Sequence, residues 1–131
     1  MVRIFTDSTS DINQAEAKEL GVTVVPLKVI FADGEYRDGI DLSPDEFYRK
    51  LKCSEKLPTT SQPTPEEFMK KFQEARDAGD EIVAILISGE LSGTVQSAHI
   101  ARERCGAVSY THLIDFLKYF VDLIDKYLPV W

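Results

Sequence analysis

The chain has 131 residues, 44% hydrophobic and 28% charged, which suits one packed domain with a solvated surface. A formal net charge of −7 argues against a nucleic-acid partner, which would need a clustered basic surface. Two distant cysteines, Cys53 and Cys105, argue against a disulfide framework or a thiolate metal site and suit a reducing cytoplasm.

Val2 to Thr6 is a short apolar run ending in Asp7-Ser8-Thr9-Ser10-Asp11, as a buried strand does on entering a polar loop. No signal-peptide pattern follows Met1, and no segment reaches the ~20 apolar residues that span a bilayer, so a cytoplasmic chain without stable membrane insertion is expected. Asn13 to Leu20 reads as a helix, capped by Ser10 or Asp11 and stopped by Gly21. Val22 to Phe31 is predicted as a second strand with an irregularity at Pro26. Asp33-Gly34 predicts a tight turn, and Glu35 to Asp38 a strand pairing back.

Ser43-Pro44-Asp45-Glu46 combines an N-cap, a first-position proline and a capping-box glutamate, predicting a helix to about Lys52. Thr64-Pro65-Glu66-Glu67 repeats that signature and predicts a helix to about Ala78, ended by Gly79. Pro58 to Pro63 between them reads as a polar loop. Glu81 to Ile87 is a third core strand, Ser88 to Thr94 a loop, and a helix follows to about Arg104. Leu113, Phe116, Leu117, Phe120, Val121, Ile124 and Leu128 fall on one stripe, which predicts an amphipathic helix over Thr111 to Leu128. Strands alternating with helices predict a three-layer α/β domain, with a mostly parallel sheet carrying helices on both faces.

Three polar loops are the candidates for chemistry: Asp7 to Asp11, Thr59 to Gln62, and Ser88 to Thr94. The first and third follow strands, so both belong on the rim where open parallel sheets bind ligands. Ser92-Gly93-Thr94 opens a helix whose free amides and dipole favour an anion, and Gly93 permits close backbone approach. The same residues also read as ordinary caps and turns. No acid–base pair, nucleophile elbow or zinc spacing stands out, and no catalytic residue, cofactor or metal is expected. The strand-end Asp7 suggests a phosphatase nucleophile, but the second acid that such chemistry wants two residues on is Thr9 here.

Phe5-Thr6-Asp7-Ser8-Thr9-Ser10-Asp11, Thr59-Thr60-Ser61-Gln62-Pro63, and Leu91-Ser92-Gly93-Thr94 followed by Ser97-Ala98 together resemble the DegV family. Val25-Pro26-Leu27 and Asp38-Gly39-Ile40 fit as well, and the resemblance covers roughly residues 1–106. Members of that family bind long-chain fatty acids, and some are the binding subunit of a fatty acid kinase whose separate subunit uses ATP. The resemblance implies that Thr60 and Ser92 hydrogen-bond the carboxylate, that Asp7, Ser8, Ser61, Gly93 and Thr94 shape the pocket, and that apolar core residues line an acyl tunnel. It implies a carrier with no catalysis of its own. The rival readings are a small phosphatase or acyl-transfer enzyme using Asp7 and the Ser88–Thr94 loop, and a non-functional fragment. Family members run to roughly twice this length, so residues 1–106 are expected to be a partial first domain. Residues 107–131 are expected to be a non-family amphipathic helix, as in a truncated or chimeric reading frame.

Overall fold

The structure, a computed structural model, describes residues 1–106 in full and 111–115 as backbone. In chain order its elements are β1 (Val2–Asp7), α1 (Gln14–Leu20), β2 (Val22–Val25), β3 (Lys28–Phe31), β4 (Gly34–Arg37), α2 (Pro44–Cys53), β5 (Thr59–Ser61), α3 (Pro65–Asp77), β6 (Glu81–Leu86), α4 (Thr94–Arg104) and β7 (Thr111–Asp115). They build two sheets. One has four strands in the order β2-β1-β6-β7, and the other three in the order β4-β3-β5. Every pairing in the first is parallel and every pairing in the second antiparallel.

The parallel sheet winds outward from β1 in both directions. Right-handed crossovers then put α1 on one face and both α3 and α4 on the other. The core lies on the second of these faces. Phe5 of β1 and Ile82, Ala84 and Leu86 of β6 pack on Phe68, Phe72 and Ala75 of α3 and on Ala98 and Ala101 of α4. Phe72 meets Phe5 edge-on at 5.3 Å between ring centroids, an arrangement worth ~0.5–1.5 kcal/mol beyond area burial. At the amino ends of the strands, Asp80 holds Arg3 at 2.6 Å and the Met1 ammonium at 3.0 Å.

The helices begin as their sequences dictate. Ser43 and Thr64 cap α2 and α3 through capping boxes with Glu46 and Glu67, each followed by a first-turn proline. The cap of α1 is Asn13 rather than Ser10 or Asp11. Ser8–Ser10 form one 3-10 turn ending at Asp11 in the left-handed region, and Asn13 then makes a capping box with Glu16. Gly21 ends α1 at φ 67°, a conformation open to glycine.

Three expectations are corrected. Val22–Phe31 is two strands in two sheets, because Pro26 has no N–H to continue the ladder and hands the chain over at Val25. Thr59–Ser61 is a strand, pairing Thr60 with Val29 and Ser61 with Lys28. Thr111–Asp115 is a strand rather than the start of a helix. It lies parallel to β6, whose open edge offers five residues a backbone ladder that an isolated helical stripe cannot match. The rest of the expected tail helix lies outside the described residues.

The antiparallel sheet and α2 enclose a second, smaller core of Val29, Phe31 and Leu42, with Tyr36 and Phe47 against it. Lys50 lies over the Tyr36 ring at 4.7 Å and pairs with Asp33 at 2.5 Å. Among the described residues no helix is long and apolar enough to cross a membrane.

Candidate functional site

The strand order fixes where a ligand fits. Connections leave β1 and its neighbour β6 toward opposite sides, so a crevice opens beyond their carboxyl ends. The first and third predicted loops meet there. Asp7 is fully buried and its carboxylate joins them: Oδ2 accepts the Ile87 amide at 2.7 Å, and Oδ1 accepts the Thr9 amide at 2.9 Å and the Thr9 hydroxyl at 2.5 Å. With no exposure and both oxygens engaged, Asp7 clamps the rim and offers no nucleophile. Ser8 Oγ accepts the Leu27 amide at 3.1 Å, tying the rim to the start of the antiparallel sheet.

The third loop turns on Ser88, whose carbonyl accepts the amides of Leu91 and Ser92 and whose hydroxyl accepts that of Glu90. It delivers Ser92 and Gly93 to the start of α4, whose N-cap residue, Gly93, has no side chain to cap it. Ser92 Oγ accepts the Thr94 amide at 3.3 Å and lies 2.9 Å from the buried Thr94 hydroxyl. Either hydroxyl of this pair can be the donor, so Ser92 has a proton for a ligand when Thr94 donates to it.

The second loop reaches this rim through Gln62, whose Nε2 donates to Ser97 Oγ of α4 at 3.2 Å. Its side chain lies so close over Gly93 that an added Cβ would stand 2.7 Å from the amide carbon. Thr60 is exposed on β5 two residues earlier, and Ser61 is half-buried. The loops after β1 and β6 thus carry Asp7 and Ser8, and Ser92, Gly93 and Thr94, at the strand ends, and Gln62, directly after the strand bearing Thr60 and Ser61, lies over Gly93.

A groove of about 620 Å³ runs from this rim along the face of the parallel sheet opposite α3 and α4. Ile4, Ile12, Val22, Ile85, Ile87 and Leu91 give it apolar walls, and Thr6, Thr9, Ser10 and Ser88 edge it. Among the described residues, Phe5, Phe68 and Phe72 fill the core between sheet and helices, and this groove lies on the other face. Gln62, Ser97 and this groove were not among the predicted site residues. The readable signal was apolar character on both sides of β1 and β6 beside a helix α1 too short to cover the second face. Among the described residues, no group of three or more His, Cys, Asp and Glu gathers to hold a metal ion.

Residues 1–119 match the family model described as "Uncharacterised protein, DegV family", so the match runs past residue 106. A DegV domain-containing protein of Halalkalibacterium halodurans is 48% identical over 98 residues, covering 74% of this chain and 35% of the relative. A solved DegV family protein of Thermus thermophilus, described as fatty-acid-binding, is 36% identical with a TM-score of 0.76 over 98% of this chain and 47% of its own. A stearic acid-binding protein of Eubacterium ventriosum is 29% identical, with a TM-score of 0.80 over 97% of this chain and 48% of its own. The chain therefore spans about a third of the curated relative's length and about half of each solved structure. Its fold, the order of its strand-end loops and its family match agree: the chain belongs to the DegV family.

Proposed function

We propose that this chain binds a long-chain fatty acid, with the carboxylate at the strand-end rim held by the hydroxyls of Thr60 and Ser92. The observation that carries this reading is the seating of Gln62, two residues beyond Thr60, on Gly93, the N-cap residue of α4. The helix start attracts an anion, and Ser92 donates its proton to it when the Thr94 hydroxyl donates to Ser92. Asp7, Ser8, Ser61, Gly93 and Thr94 shape the same pocket. The adjoining groove takes the near end of the acyl chain, each buried methylene contributing ~0.8 kcal/mol, so the tail gives affinity and the rim gives orientation. The fatty acids bound by the solved relatives support the same ligand class. On this reading the protein is a cytoplasmic carrier that does no chemistry itself and presents the carboxylate to a separate ATP-using kinase subunit.

The test is titration of hexadecanoate into the wild type and into Ser92→Ala and Thr60→Ala. Each variant loses one hydrogen bond to a charged group, ~1.5–3 kcal/mol, or about ten- to a hundredfold in affinity. Unchanged affinity in both variants removes the assignment. Acyl phosphate forming only when a kinase subunit and ATP are added supports the presenting role, and its formation by this chain alone refutes it.

A further inference from the structure

We infer that Gln62 is the positioning residue that sets the spacing between the two carboxylate-binding hydroxyls, by latching the antiparallel sheet onto the start of α4; this rests on the carboxylate site proposed above. Thr60 belongs to β5, whose ladder partner is β3 of the antiparallel sheet. Ser92 belongs to the loop between β6 and α4 of the parallel sheet. The two hydroxyls therefore stand on separate sheets with separate cores, and no ladder fixes their distance.

Among the described residues, two side-chain hydrogen bonds tie the antiparallel sheet to the parallel sheet and its helix α4 on the site side. Ser8 Oγ holds Leu27 where β3 begins, and Gln62 Nε2 holds Ser97 Oγ just beyond β5. The second is close to both hydroxyls in sequence, Gln62 standing two residues from Thr60 and Ser97 five residues from Ser92. Its two ends are rigid. Pro63, directly after Gln62, is fully buried, and the next residue, Thr64, is the capping-box N-cap of α3. Ser97 is buried on the first turn of α4. Between them Gly93 leaves the space that the Gln62 amide fills. The missing Cβ at Gly93 thus serves the latch as well as any approach of ligand to backbone.

A residue that only orders the rim would affect any acyl ligand. One that spaces two hydroxyls for a carboxylate affects ligands carrying that carboxylate. The experiment compares hexadecanoic acid with its methyl ester by competition against a fluorescent fatty acid, in the wild type, Gln62→Ala, Gly93→Ala and Ser97→Ala. The wild type is expected to prefer the acid. Gln62→Ala is expected to lower acid affinity about two- to tenfold, the worth of one neutral hydrogen bond, and to leave ester affinity unchanged. Gly93→Ala should do the same by displacing the amide, and Ser97→Ala by removing its acceptor, which also decides the matter if another variant does not fold. Acid-over-ester ratios equal to wild type overturn the latch, as does a parallel fall for both ligands. A wild type with no preference for the acid overturns the carboxylate site itself, and the latch with it.

Discussion

Replacing Asp7 with alanine separates its clamp role from any chemical one. Three donors converge on its carboxylate: the Ile87 amide at 2.7 Å, the Thr9 amide at 2.9 Å and the Thr9 hydroxyl at 2.5 Å. The hydroxyl can rotate toward water, but the two amides are fixed by the ends of β1 and β6. Each partly buried donor left unpaired costs ~1–3 kcal/mol, so Asp7→Ala should lower stability by about 3–5 kcal/mol. For a domain of this size that shifts the melting temperature down by roughly 10 °C or more. Asp7→Asn keeps one acceptor oxygen and turns its NH2 toward a donor, so it should lose about half as much. Urea unfolding monitored by circular dichroism measures both, with the midpoint moving at constant slope. An Asp7→Ala midpoint equal to wild type, or an Asn variant as unstable as the Ala one, would refute the clamp.

Phe72→Ala removes a fully buried ring packed on Phe5 and Phe68, and should cost ~3–5 kcal/mol in the same unfolding assay. The Met1 ammonium, and after it the Arg3 guanidinium, hold the Asp80 carboxyl below its ordinary value of 3.8. The ionised form is thus favoured by folding, so its stabilisation is complete above that value and fades as pH falls through the lowered one. Asp80→Asn should therefore be less stable than wild type at neutral pH and show a flatter loss of stability below about pH 4, read from denaturant midpoints across pH. Cys105 is buried and its thiol is pushed up by burial, whereas Cys53 is exposed, so iodoacetamide at pH 8 should label Cys53 first, as peptide mass spectrometry would show.

The parts of the fold legible in the sequence were those written in local chemistry. The capping boxes at Ser43 and Thr64, the αL glycine Gly21 and the apolar runs of β1 and β6 each state their structure within a few residues. What escaped was set by distant partners. Thr59-Thr60-Ser61 carries a loop composition and becomes a strand only because β3 offers it an edge. Thr111–Asp115 begins a helical stripe and becomes a strand because β6 does the same. Asp7 was legible as a rim residue but not as a clamp, since the Ile87 amide it binds lies 80 positions away. Gln62 stood inside a quoted motif, yet its use depends on a glycine and a serine that arrive from another sheet.

Why the second polar loop joins the site follows from where the antiparallel sheet is inserted. The chain leaves β2 at its carboxyl end and must start α3 near the same rim before crossing back along the sheet to β6. A helix alone suffices for such a crossover, and a short turn at Pro26 would have served to enter it. Instead β3, β4, α2 and β5 intervene between two points that both lie beyond the strand carboxyl ends. Both ends of this insertion therefore lie at that rim. On the proposed reading the hydroxyls of β5 reach the crevice framed by the loops after β1 and β6, although β5 is no part of the parallel sheet. The insertion has its own small core in Val29, Phe31 and Leu42, and polar contacts such as those of Ser8 and Gln62 tie it to the parallel sheet and α4. On the proposed reading, affinity for an anion should then depend on those contacts more than on the packing of either core.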